Sequence, residues 1–123
     1  MSLTFRVPGL PRPQPRPRFN SKTGRVYTPD TARRWREAVA WAALGAKVNP
    51  RPFEGAVDVR LAFTLPDNRK CDLDNAIKVV LDAMTEAGVW RDDNQVVELH
   101  ATKRIGTDTG CSVSVTPIRE ASL

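Results

Sequence analysis

The stretch VDVRLAFTLPDNRKCDLDNAIKVVLDAMTEAGVW, residues 57–90, decides the fold, because the period of its apolar residues changes partway along. Over 57–65, Val57, Val59, Leu61, Phe63 and Leu65 alternate with polar or small neighbours, which is the two-residue period of a strand with one buried face. From 73 onward Leu73, Ile77, Val80, Leu81 and Met84 recur every three or four residues, the stripe of an amphipathic helix. PDNRK, 66–70, is turn-forming, and Gly88 is a typical helix stop, so the spacing predicts a strand, a turn and a helix over 73–87.

Working outward, LTFRV at 3–7 alternates like a first strand. TPDTARRWREAVAWAALGA, 28–46, predicts a helix with Thr28 as cap, Pro29 at the first helical position, and Ala32, Trp35, Val39, Ala42 and Ala46 along one face. Trp35 and Trp41 read as packing residues. VVELHATK (96–103) and CSVSVT (111–116) read as two final strands joined through Gly106 and Gly110. The fold class is therefore α/β in the α+β sense, a single mixed β-sheet packed against two main helices in βαβαββ order. At 123 residues, 1–123 is read as a single domain with one core.

Charge is unevenly placed. The chain carries +5 overall, but residues 1–29 hold Arg6, Arg12, Arg16, Arg18, Lys22 and Arg25 and no acid, which leaves −1 for the rest. Within this region PGLPRPQPRPRF imposes an extended, polyproline-like strap that presents Arg12, Arg16 and Arg18. NSKTGRVY, 20–27, predicts a basic hairpin turning near Gly24, with Lys22 and Arg25 on it. A localised basic face points to a polyanion, nucleic acid ahead of a membrane, since no lipid-binding amphipathic helix accompanies it.

Cys71 and Cys111 lie forty positions apart, and with His100 they lack the paired spacing of a zinc site, so they read as small buried hydrophobes. No secretory segment or long apolar run is present, which fits an intracellular protein with no membrane partner.

Against that basic background stand two acidic clusters: Asp72 and Asp74 at the start of the second helix, and Asp92 and Asp93 in the connection after it. The first pair also suits a plain helix start, with Asp72 as cap and Asp74 and Lys78 as an exposed pair one turn apart. Two clusters of hard oxygen donors suit Mg2+, which takes a few carboxylates together with waters and phosphate oxygens. The sequence has no phosphate-binding glycine loop, no G-x-S-x-G and no Cys/His nucleophile pattern, so other chemistries, and any small-molecule cofactor, have no footing.

CDLDNAIKVVLDAMTEAGVWRDDNQVVELHATK, 71–103, resembles the signature of the RusA family of Holliday junction resolvases, through D-L-D-N-x-x-K, a helix, and D-D-x-Q-V-V. RPRF and VYTP resemble the N-terminal pattern of phage-type members. The resemblance implies a bacterial or phage-encoded, cytoplasmic, Mg2+-dependent endonuclease that nicks opposed strands of four-way junction DNA as a homodimer. It places the catalytic acids on Asp72, Asp74 and Asp93 and the catalytic lysine on Lys78. Asp92 and Asn75 would stand behind them as orienting groups or as ordinary loop and helix-start residues. Arg69 and Lys70 sit where a scissile phosphate would be gripped.

A helix over 73–87 is ~22 Å long, and the six steps from Ala87 to Asp93 span at most ~20 Å. Asp93 therefore reaches Asp74 only if the connection runs back along the helix; otherwise a partner chain supplies it. Two alternatives to a junction resolvase share these residues: a catalytically silent DNA-binding module, and a nuclease selective for flaps or forks.

Overall fold

The computed structural model of the chain describes residues 2–13, 18–27, 30–47 and 49–118. Thr28, Pro29, Arg16 and the central strap prolines lie outside them, as does the side chain of Arg18. The elements are β1 (Leu3–Pro8), a hairpin of β2 (Arg18–Asn20) and β3 (Arg25–Tyr27), α1 (Asp30–Ala46), β4 (Val57–Leu65), α2 (Leu73–Glu86), a 3-10 turn at Asp93–Gln95, β5 (Val96–Ile105) and β6 (Gly110–Pro117). Four strands form one mixed sheet in the order β1-β6-β4-β5, and β2 and β3 pair by themselves. The expected mixed sheet with two helices and a basic hairpin is thus what forms.

β5 and β6 follow each other in the chain but are not neighbours. β4 lies between them, antiparallel to β6 and parallel to β5. A parallel pair needs a crossover, and α2 supplies it.

The inward row of β4 is 2% exposed or less throughout, and α1 and α2 cover it with Trp35, Val39, Ala43, Val79, Val80, Ala83 and Met84. The expected stripe on α2 is rotated. Its centre is Ala76, Val79, Val80, Ala83 and Met84, while Leu73, Ile77 and Leu81 are half-buried at its flank. Two alanines at the centre let the helix backbone approach the sheet, and the larger side chains ride at the side. On α1 the buried residues are Ala32, Trp35, Val39 and Ala43, with Ala42 and Ala46 half-buried. Trp41 does not pack: six residues from Trp35 is about 240° around a helix, and it is 72% exposed. Phe19 and Val26, opposite each other on the hairpin, are similarly exposed.

The stop at Gly88 holds. Ala87 caps α2, Gly88 takes φ 75, and Lys47 at the end of α1 donates to the Gly88 carbonyl at 3.0 Å. A cation there offsets the partial negative charge of the helix end. Among the described residues no helix is long and apolar enough to cross a membrane.

The topology fixes where the acids sit. β4 runs toward the loop that starts α2, α2 returns over it, and β5 starts again level with the start of β4, Val57 beside Val96. The N-terminus of α2 is therefore at one end of the sheet, and the connection carrying Asp92 and Asp93 is at the other.

Candidate active site

Asp72 occupies the N-cap position of α2 with extended backbone, φ −71 and ψ 120, yet its side chain makes no capping hydrogen bond. The plain-cap reading thus holds for position and not for chemistry. Its carboxylate is exposed, and so is that of Asp74 in the first turn, where the helix dipole favours negative charge. Lys78 follows one turn later, also exposed. Among the described residues no ion pair joins Asp74 to Lys78, and none engages Asp72. Asn75 is half-buried on the same turn. Asp72, Asp74 and Lys78 are therefore three charged groups on one helix end that no ion pair among the described residues engages.

Sequence reasoning missed what holds this end in place. Lys103 of β5 lies on the helix side of the sheet, level with Phe63, and its ammonium donates to the Cys71 carbonyl at 2.9 Å. The residue before Asp72 is thereby tied to the sheet. Arg69 is engaged nearby: its side chain makes a two-pronged contact with the Asp67 carboxylate at 2.7 and 2.9 Å, and its backbone N–H donates to the same group. These bonds hold the Asp67 carboxyl at about 2. Lys70 is exposed beside it.

At the other end of the sheet Asp92 has a structural task. Its carboxylate accepts from the Asn94 N–H at 2.9 Å, and Gln95 completes a capping box by accepting from the Asp92 N–H at 3.1 Å. The same Gln95 amide accepts from the Arg91 N–H and donates to the Phe53 and Gly55 carbonyls at 2.8 and 2.9 Å. Gln95 thus clamps the acidic turn onto the 53–55 loop. Asp93 is left exposed, and its carboxyl is pushed above the usual range, first by loss of hydration, then by Asp92 and Asp82 beside it.

Asp93 therefore faces Asp82, not Asp72 or Asp74. Asp82 stands eight residues beyond Asp74 on α2, ~12 Å along the axis, and shares a shallow pocket with Asp92, Asp93, Glu86, Arg36 and Arg91. Within one chain the three expected acids divide two and one. A further group that sequence alone does not bring together lies on the opposite sheet face. Asp58, Glu98 and His100, adjacent through the β4–β5 register, have ligand atoms within 4.8 Å of one another.

Of the basic residues expected to meet DNA, Lys22 and Arg25 are exposed on the hairpin, and Arg12 is half-buried.

The chain has relatives. The family model described as Endodeoxyribonuclease RusA matches residues 8–116. A crossover junction endodeoxyribonuclease RusA of Aquifex aeolicus is 31% identical over 96 residues, 78% of this chain and 75% of the relative. Proteins of the same name from Escherichia coli strain K12 and from Enterobacteria phage 82 are each 33% identical over 92 residues, 75% of this chain and 76% of the relative.

Proposed function

This chain belongs to the RusA family of endodeoxyribonucleases, and from that premise we propose that it resolves four-way DNA junctions by paired, symmetric, Mg2+-dependent nicks. The observation that carries the reading is Asp72: an N-cap residue whose carboxylate makes no capping hydrogen bond, beside Asp74 and one turn from Lys78, neither of which is in an ion pair among the described residues. Exposed acids with no ion-pair partner among the described residues, in a chain of net charge +5, fit a cation that meets phosphate.

Asp72 and Asp74 would hold Mg2+, with Asp93 completing the set only if a partner chain brings it to them, since within one chain it faces Asp82 instead; a bound ion would supply positive charge against the scissile phosphate and acidify a water. Hydrolysis adds the water oxygen to phosphorus and breaks the bond to one sugar oxygen, which leaves with a proton. Lys78 stands where its ammonium can offset charge on the phosphoryl or leaving oxygen. Asn75 and Asp92 orient rather than react. Lys22, Arg25 and Lys70, together with the arginines of the strap, grip the sugar–phosphate backbone, which sets position and not sequence.

The deciding experiment is incubation with a synthetic four-way junction, with and without Mg2+, beside a linear duplex of the same sequence and a forked duplex. Paired nicks in the junction alone, dependent on Mg2+, support the reading. Binding without cleavage would leave a silent DNA-binding module. Equal cutting of the fork would make it a broader structure-selective nuclease.

A further inference from the structure

The face of the sheet turned away from α1 and α2 carries a group that the nuclease reading leaves unused. Asp58 near the start of β4 and Glu98 and His100 near the start of β5 bring their ligand atoms within 4.8 Å of one another. Strand register builds this group. Val57 stands beside Val96 but Asp58 stands beside Glu98, so β5 carries one extra residue here and Val97 drops out of the pairing. A bulge of this kind re-aims side chains, and it sets two carboxylates side by side. His100 follows Glu98 by two residues and therefore shares its face.

The protein's own groups do little to neutralise the pair. Like charges directly opposed on neighbouring strands destabilise a sheet, and Arg60, itself 65% exposed, approaches the Asp58 Oδ2 only to 3.6 Å. The Asp58 side chain is 15% exposed, and its Oδ1 is buried with no hydrogen-bond partner. A buried carboxylate oxygen without a donor is costly. Among the described residues no ion pair joins His100 to either acid. A cation held between the three groups would answer both the crowding of charge and the orphaned carboxylate.

The donor set selects the ion. Mg2+ takes oxygen donors and waters, whereas an imidazole beside carboxylates suits Zn2+ and its transition-metal neighbours. Zn2+ bonds to imidazole nitrogen and carboxylate oxygen are ~2.0–2.2 Å long, which puts the donors of a tetrahedral site ~3.4 Å apart. Glu98 and His100 are exposed, so rotation of their side chains closes the remaining distance. Two donors on alternate residues of one strand and a third on its neighbour make a tripod, with one position left for water. We propose that Asp58, Glu98 and His100 form a metal site for a Zn2+-class ion, which staples the start of β5 to the start of β4. β5 leaves directly from the turn Asp93–Gln95, so the staple fastens the base of the acidic turn.

The test is calorimetric titration of the chelator-treated protein with Zn2+, in an excess of Mg2+ that competes for all-oxygen sites. One equivalent should bind per chain. Glu98→Gln and His100→Gln alter exposed side chains that the core does not need, and each should weaken binding at least tenfold. Asp74→Asn, at the other end of the sheet, should leave it unchanged. Zn2+ should raise the melting temperature of the wild type and of Asp74→Asn but not that of His100→Gln. Co2+ in place of Zn2+ should give visible absorption bands that His100→Gln lacks. No saturable binding, or binding that survives both Glu98→Gln and His100→Gln, overturns the site. Binding lost in Asp74→Asn and kept in His100→Gln puts the ion at the start of α2 and overturns it equally. None of these readouts uses cleavage, so failure of the nuclease reading would not touch them.

Discussion

Lys103 on β5 holds the Cys71 carbonyl at 2.9 Å, so a cation of the edge strand anchors the residue that immediately precedes Asp72. The bond fixes the start of α2 against the sheet, and a hydrogen bond from a charged donor contributes ~1.5–3 kcal/mol net. Lys103→Met keeps the aliphatic stem and removes the donor. Nicking of the junction is expected to fall about tenfold, since 1.4 kcal/mol of lost positioning is a factor of ten in rate. The Mg2+ concentration for half-maximal rate should rise in parallel, and Lys103→Arg should recover part of the loss. An unchanged Mg2+ titration would show that the bond serves stability alone.

The two acids at helix-start positions should separate by what they do. Asp72 caps nothing, so Asp72→Asn is expected to abolish nicking with a melting temperature close to wild type and junction binding intact in a gel-shift assay. Asp92 caps the turn before β5, and Asp92→Ala should cost about 1 kcal/mol of stability by denaturant unfolding. Its rate should fall less than that of Asp72→Asn. The reverse ranking would mean that Asp72 is the cap and Asp92 the ligand.

Sheet, helices and hairpin were legible because Val57 to Leu65 and Leu73 to Met84 each keep one clean period, and local chemistry such as Gly88 and Gly24 marks their ends. The rotation of α2 was not, since Leu73, Ile77 and Leu81 satisfy helical spacing as well as the alanines that sit at its centre. Trp41 shows the same limit: an aromatic side chain reads as core until the helix face is known. In the site, Asp72, Asp74 and Lys78 are close in sequence and were legible together. Lys103, the Gln95 clamp and the Asp58–Glu98–His100 group are products of strand register, and the division of the acids between the two ends of the sheet follows from α2 running back over β4.

Cys111 gives a pH prediction of definite sign. Burial pushes its thiol up to about 12, far above its unfolded value. Below the ordinary thiol range, about 8.5, it is protonated in both states and its contribution to stability is full. As pH rises toward 12 the unfolded chain releases this proton while the folded chain keeps it, so stability is lost with rising pH. The urea midpoint should therefore drop more between pH 8 and pH 10.5 for wild type than for Cys111→Ala. In the native state the thiol should also resist iodoacetamide at pH 8 and react only after unfolding. Prompt labelling of Cys111 in the folded protein would contradict its burial.

Residues 1–29 carry six cations and no acid, and on the hairpin Lys22 and Arg25 are exposed with no ion pair among the described residues. If all six meet phosphates, log K against log salt should fall with a slope of about −5.4 on duplex arms. Each phosphate contact removed flattens that slope by about 0.9. The double variant Lys22→Gln with Arg25→Gln should thus bind a four-way junction more weakly at low salt and bring the slope to about −3.6. Asn20 and Thr23, which organise the turn through bonds to the Lys22, Thr23 and Arg25 N–H groups, are untouched, so the hairpin should keep its shape. Binding is measured by fluorescence anisotropy between 50 and 300 mM salt, roughly the range over which such contacts change affinity by orders of magnitude. An unchanged slope with unchanged affinity would place the hairpin away from DNA and move the phosphate contacts to the strap and to Lys70.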